Sequence, residues 1–175
     1  MPSPIGHSLA GLIVHALVAR DREELGDARR AAVTVGAALA PDVDLLFRLV
    51  DGRNHHNHET HSVGCALAAA AAVFVAARTR GWTRPGRLAV AAGLGWLSHV
   101  LLDYLNKDTT PPIGIMALWP FDDGFYKFPH PLFLDIGRTL TWATARHDAL
   151  AAVWEAVVLS PLLVGVVWLR KSRGD

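Results

Sequence analysis

Apolar residues along this 175-residue chain fall into five runs separated by polar stretches. Almost none of the sequence alternates with the period of two that a half-buried strand requires. The runs are Ile5–Ala19, Ala31–Val50, Ser62–Ala77, Leu88–Leu105 and Ala149–Leu169. The second is interrupted at Pro41, whose missing N–H stops a helix from simply continuing. The pattern predicts an all-α chain: a single membrane-associated bundle of about five helices, one domain over 1–175, with no sheet. Only the last run has the roughly 20 residues of a full bilayer span. Between the fourth and fifth runs, 105–148 reads as a long ordered loop or lid, densest in Pro, Gly and aromatic residues over Thr110–Pro131. Connections of that length are usually functional.

Composition sharpens the setting. With 51% hydrophobic and 19% charged residues, the chain is apolar for a soluble domain, and a compact protein in contact with the lipid bilayer fits best. A formal net charge of +1 argues against nucleic acid as a partner, which needs a basic face or stripe. The single cysteine, Cys65, has no partner for an internal disulfide and reads as a small buried hydrophobe. The first apolar run lacks a basic start and carries His7 and His15, so it reads as part of the mature fold and not as a signal peptide.

Charge placement adds a direction. Arg20, Arg22, Arg29 and Arg30 separate the first two runs, Arg78, Arg80, Arg84 and Arg87 the third and fourth, and Arg170, Lys171 and Arg173 follow the fifth. In a five-span topology these places share one side, and the Lys/Arg excess marks it as cytoplasmic. Lys107, Lys127, Arg138 and Arg146 fall on the other side, so the bias is a majority. The same topology sends His7, Asp42, Asp44, His56–His61, His99, Asp103 and Glu155 to the end opposite the arginines. Convergence of distant polar segments on one end is hard to obtain from solvation alone.

Each of these residues has a sharp and a bland reading. His99 and Asp103 are four apart, on one helical face and among leucines. A carboxylate there needs a partner or a metal, although a structural His–Asp hydrogen bond meets the same need. Asp42 and Asp44, just past Pro41, suit oxygen ligation of a divalent ion, or a helix cap with one Asp solvated. The run His55-His-Asn-His-Glu-Thr-His-Ser62 is the densest feature. One ion cannot take all its imidazoles, so His56 and His61 are the expected ligands, with His55 and His58 in outer or solvated positions. A plain His-rich loop is the alternative. Thr60 or Ser62 is expected to cap the third helix. Glu155 interrupts an apolar run and so marks function by default, or pairs with Arg138. His7 alone would be an ordinary buried imidazole, His15 reads as structural, and His130 and His147 carry no assigned role. Trp119-Pro-Phe121 reads first as an interfacial anchor and second as a pocket wall.

Taken in order, Pro4-Ile-Gly-His7, Pro41-Asp-Val-Asp44, His56-x-x-x-Thr60-His-Ser62, Ser98-His-x-Leu-Leu-Asp103 and Leu118-Trp-Pro-Phe121 resemble the YdjM-like family of bacterial inner-membrane, metal-dependent hydrolases. The resemblance covers nearly the whole chain. One departure is Asn57, where the family pattern commonly has Arg. A more distant resemblance is to the all-helical zinc-dependent phospholipase C and P1 nuclease superfamily, with His99-x-x-x-Asp103 and Glu155 in its later ligand places. His147 does not stand one turn before Glu155, so the full cluster of that superfamily is not required here.

The resemblance implies a multi-pass protein of the bacterial inner membrane. Its metal ligands would be drawn from His7, Asp42, His56, His61, His99, Asp103 and Glu155, with zinc the favoured ion. Ligand atoms around one zinc stand about 2.0–2.2 Å from it, hence roughly 3–4 Å from one another. Asp44 or Glu59 would act as general base, and the substrate would be a phosphoester, small or lipid-like. The same resemblance leaves a rival open: a non-catalytic membrane protein whose metal or His–Asp network is structural and which binds a regulatory protein. A small transporter is a third class, but it would need acidic and His residues at mid-span in several helices, and only His15 and Glu155 lie well inside a span.

Overall fold

The computed structural model describes residues 1–137 and 139–172. Arg138, the basic alternative partner for Glu155, and Arg173 lie outside the described residues. The helices are α1 (Pro4–Val18), α2 (Arg22–Gly26), α3 (Ala28–Leu39), α4 (Arg48–Asp51), α5 (Val63–Thr79), α6 (Pro85–Tyr104) and α7 (Trp142–Ser172), with 3-10 turns at Ala40–Leu46 and Glu59–His61. The five long helices are those expected from the five apolar runs. Among the described residues extended structure is limited to two isolated bridges, Asn106 with Phe133 and Ile115 with Tyr126.

Local chemistry sets the helix boundaries. Ser3 accepts from the Gly6 N–H and Pro4 follows it, a favourable start for α1. The Asp27 side chain accepts from the Arg29 and Arg30 N–H groups and starts α3. At Pro41 the α-helical ladder gives way to the tighter 3-10 turn over Ala40–Leu46. Ser62 caps α5 by accepting from the Cys65 N–H.

Close crossings of α1, α3 and α6 rest on glycines. A Cβ at Gly11 would stand 3.0 Å from the Ala38 Cβ, and one at Gly95 only 2.7 Å from the Thr34 carbonyl oxygen. Small residues let helix backbones approach where apolar surroundings offer no other drive to pack. His7 precedes Gly11 by four residues and His99 follows Gly95 by four, so each histidine shares a helix face with its glycine, one turn along. The crossings that bury the glycines thereby bring the two histidines together.

The arginine end is tied by ion pairs. Arg84 reaches Asp21 and Glu24, each at 2.9 Å, and Arg87 and Arg30 approach Glu24 at 3.7 and 3.8 Å. Burial works to raise the Glu24 pKa, but the Arg20 N–H and the arginines outweigh it and hold the carboxyl below its ordinary value.

Among the described residues α7 is the one helix long and apolar enough to cross a membrane, with a mean hydropathy of 2.1 over its best window. At 1.5 Å per residue it is about 46 Å long, against roughly 30 Å of hydrocarbon. The expected five-span topology is not supported at this level. Helices α1 and α5 have 15 and 17 residues, about 22 and 25 Å by the same rise, and α6 carries Arg87, His99 and Asp103 in its 20 residues. The final helix also begins at Trp142, earlier than the apolar run suggested, so the preceding connection closes at Thr141.

Candidate metal centre

Six of the expected ligands converge at the end of the bundle opposite the Arg20–Arg30 and Arg78–Arg87 clusters. His7 comes from α1, Asp42 from the turn after α3, His56 and His61 from the segment before α5, and His99 and Asp103 from α6. His7, His99 and Asp103 offer ligand atoms all within 4.8 Å of one another, and so do Asp42, His56 and His61. The two triads interlock. His61 Nε2 lies 3.1 Å from Asp103 Oδ2 and 3.1 Å from His99 Nε2, while Asp42 Oδ1 lies 3.6 Å from His99 Nε2 and 3.8 Å from His61 Nε2. The His7 and His99 rings stack with centroids 3.7 Å apart.

Three imidazoles are oriented through their other nitrogen. His99 Nδ1 lies 2.8 Å from the Ala38 carbonyl, which can only accept, so Nδ1 carries the hydrogen. His56 Nδ1 donates to Asp44 Oδ1 at 3.0 Å. His61 Nδ1 donates to Thr60 Oγ1 at 3.0 Å, a hydroxyl that itself donates to Asp44 Oδ2, and stands 3.3 Å from that carboxylate oxygen. His61 and His99 thereby turn their Nε2 atoms toward each other and toward Asp103, the arrangement that fixes tautomer and direction in metal-ligating histidines.

Asp44 is the hub of this orientation. Both its oxygens are engaged, Oδ2 accepting also from Thr60 Oγ1 at 2.7 Å. Burial works to raise its pKa, but the bonds from His56, His61 and Thr60 outweigh it and hold the carboxyl well below the usual range. A carboxylate so committed is a poor proton acceptor, and its bonds hold the His56 ring and the Thr60 hydroxyl in place. Burial likewise works against a charge on His61, yet Asp103, Asp42 and Asp44 outweigh it and hold its pKa well above that of free imidazole.

Several buried polar atoms of these six residues have no hydrogen bond: both nitrogens of His7, His56 Nε2, Asp42 Oδ1 and both oxygens of Asp103. Buried polar atoms rarely stay unpaired, since each loses its hydration without return. Asp103 Oδ2 lies close to His61 and His99, but not in line for a bond. These inward nitrogens and carboxylate oxygens, without thiolate, suit a divalent ion such as zinc, manganese or iron.

The other expected site residues lie elsewhere. Glu155 is fully buried but sits at the start of α1, accepting from Ser3 N at 2.8 Å, from Ser3 Oγ and from Gly6 N at 3.1 Å. It neutralises the positive end of that helix and is not among the six converging ligands. Glu59 is exposed, and the structure gives its side chain no contact with the centre. His55 pairs with Asp51 at 2.6 Å on the surface, His58 sits edge-on to Phe125, exposed His130 lies beside Phe128, and His147 bonds the Asp135 carbonyl. His15 meets the Leu25 carbonyl at the arginine end, a structural role.

The Leu118-Trp-Pro-Phe121 segment acts through its backbone. Ala117 O accepts from Val63 N at 2.9 Å and Trp119 O from Gly64 N at 3.0 Å, which satisfies two of the free N–H groups opening α5. Trp96 Nε1 donates to the Thr60 carbonyl at 2.8 Å and fixes the turn that carries His61. Asn57 adopts φ 71°, a left-handed conformation that Asn tolerates, and its carbonyl accepts from Met116 N at 2.9 Å. Its side chain is buried, so it presents no group to a solvent anion. Sequence reasoning had no access to the Ala38 carbonyl or to the Ser3–Glu155 contact.

The family model described as YdjM inner membrane protein matches residues 1–174. The chain belongs to that family. No curated protein and no solved structure matches it, so the likeness to phospholipase C and P1 nuclease rests on motif order alone.

Proposed function

We propose that this YdjM-family inner membrane protein is a metal-dependent hydrolase that cleaves a phosphoester, with one or two divalent ions, zinc favoured, held by His7, Asp42, His56, His61, His99 and Asp103. The observation that carries the reading is the pair His61 and His99, whose Nδ1 atoms are held by oxygen acceptors and whose Nε2 atoms meet at 3.1 Å beside Asp103 and Asp42. The unpaired Asp103 and Asp42 oxygens at the same place support it. A divalent ion there supplies Lewis acidity toward a phosphoryl oxygen and lowers the pKa of water at the site.

The chain's own groups divide the remaining work. Asp44 and the Ala38 carbonyl orient the imidazoles, and the Thr60 hydroxyl steadies Asp44. Asp42 forms the opening, its side chain 15% exposed while those of His7, His56, His61, His99 and Asp103 are at 0–2%. Next to it in the chain, Val43, Leu46, Phe47, Leu49 and Val50 all expose apolar side chains. An acidic opening flanked by exposed apolar residues supports a lipid-like phosphoester. Outward Leu67, Phe74 and Val75 on α5 and Val90, Leu94 and Leu101 on α6 support immersion of the whole bundle beside α7, with the arginine end cytoplasmic.

The near-complete burial of the ligands favours one alternative, a non-catalytic protein whose metal network is structural and which binds a regulatory protein. A phosphoester screen on zinc-loaded protein in mild detergent separates the two. Turnover that disappears in Asp103→Asn supports hydrolysis. Metal bound at full occupancy with no turnover of soluble or lipid phosphoesters supports the structural role.

A further inference from the structure

We propose that the groove between α3 and α5 binds one anionic phospholipid, its phosphate held by Arg29 and Arg80 and its acyl chains running toward the middle of the bundle. Helix α6 packs against both α3 and α5, so it forms the floor of this groove and they form its walls. Two recesses open along it and share Arg80 and Trp82. The apolar one, about 100 Å³, is bounded by Val33 of α3, Val73 and Ala76 of α5, and Leu88 of α6. The polar one, about 310 Å³, adds Asp27, Arg29, Arg30 and Thr83.

Charge selects the headgroup. Asp27 is the one acid lining the polar recess, and it is already committed: it accepts from the Arg29 and Arg30 N–H groups and meets Arg30 Nε at 3.3 Å. Arg30 is committed too, donating to the carbonyl and the hydroxyl of Thr83. The exposed guanidinium groups of Arg29 and Arg80 form no ion pair or hydrogen bond among the described residues. Two such forks beside one recess suit the oxygens of a phosphate. Continuity selects the tail. A bare phosphate needs only the polar recess, whereas the apolar one that adjoins it suits an amphiphile. Half-buried Trp82 lines both, and Trp favours the headgroup level of a bilayer. Further from the arginines the α3 wall leaves room, since a Cβ at Gly36, three residues beyond Val33, would meet nothing within 4 Å. Membership of an inner membrane family puts phospholipid at this surface. The groove lies at the other end of the bundle from the His/Asp centre, so its occupancy does not depend on that centre being catalytic.

The test uses the full chain, stripped of lipid in mild detergent and incubated with dioleoyl phosphatidylglycerol or dioleoyl phosphatidylcholine. Native mass spectrometry counts the retained lipids. One phosphatidylglycerol per chain is expected, with phosphatidylcholine retained about tenfold less. Arg29→Gln with Arg80→Gln should erase that preference. Arg20→Gln with Arg78→Gln removes the same charge outside the two recesses and should keep it. Ala76→Phe, which fills the apolar recess, should abolish retention, and Gly36→Leu replaces it should that chain lose wild-type helix content. Equal loss of preference in the two double variants would overturn the proposal by showing only a general attraction to basic surface. Lipids of either kind retained equally by wild type and the filled variant would overturn it and mark a nonspecific shell. A wild-type chain that retains no lipid would overturn it as well, and a dimer that Ala76→Phe splits would show a second copy as the occupant. Full displacement of the lipid by inorganic phosphate would also overturn it, since the acyl chains would then contribute nothing.

Discussion

His61 Nε2 and His99 Nε2 face each other across 3.1 Å, both rings fully buried. The Nδ1 of His99 is bonded to a carbonyl and that of His61 faces a carboxylate, so two neutral rings would meet lone pair to lone pair. A cation or a proton between them removes that conflict, and the carboxylates of Asp42, Asp44 and Asp103 around the pair favour positive charge at this point.

Glu155 should matter for stability and not for metal. Glu155→Ala strands the Ser3 N–H and hydroxyl donors at the start of α1, at about 1–3 kcal/mol for each buried group left unpaired. A lower thermal midpoint with unchanged metal content is expected, and Glu155→Gln, which keeps one acceptor oxygen, should recover part of the loss. Lost metal at unchanged stability would place the carboxylate in coordination instead.

Gly64 should control the docking of the long connection. A Cβ there would stand 2.7 Å from Pro120 Cδ and 2.8 Å from the Trp119 carbonyl oxygen. Gly64→Ala therefore pushes this segment off the start of α5, at about 1–3 kcal/mol. Limited proteolysis should cut the connection between α6 and α7 faster in the variant. Equal cutting rates would show that the segment does not depend on these bonds.

The five long helices were legible because each carries a dense apolar run, and the break after α3 was legible because proline leaves few options. The front of α7 was not, since Thr144, Arg146, His147 and Asp148 show no apolar period. They serve the loop instead, Asp148 accepting from Gly137 N at 2.8 Å. Most metal-site candidates could be named from side-chain type and spacing. Their division of labour could not. Asp42 and Asp44 look alike in sequence, and only the fold shows one at the opening and the other behind two histidines. Glu155 read as a ligand because an acid in an apolar run has no visible partner, and its partner here lies 152 residues away in the chain. The Trp119 motif shows the same limit: its backbone carbonyl accepts from Gly64 N, a contact that no side-chain pattern reports.

Orientation in the membrane follows from the two ends of the bundle. With Cys65 replaced by Ala, single cysteines at Val50 and Arg80, both exposed, should react with an impermeant maleimide from opposite faces, Arg80 from the cytoplasmic one. Labelling of both from the same face would contradict immersion of the bundle.

Metal content of the purified protein tests the centre most directly. After expression with zinc and purification in mild detergent, elemental analysis should find one or two zinc ions per chain. His61→Ala and Asp103→Asn should remove them, Asp44→Asn should weaken binding roughly 10–100-fold through lost orientation of His56 and His61, and His55→Ala should leave it unchanged. Wild-type protein that folds normally yet holds no zinc, manganese or iron above the level of Asp103→Asn would contradict a metal centre.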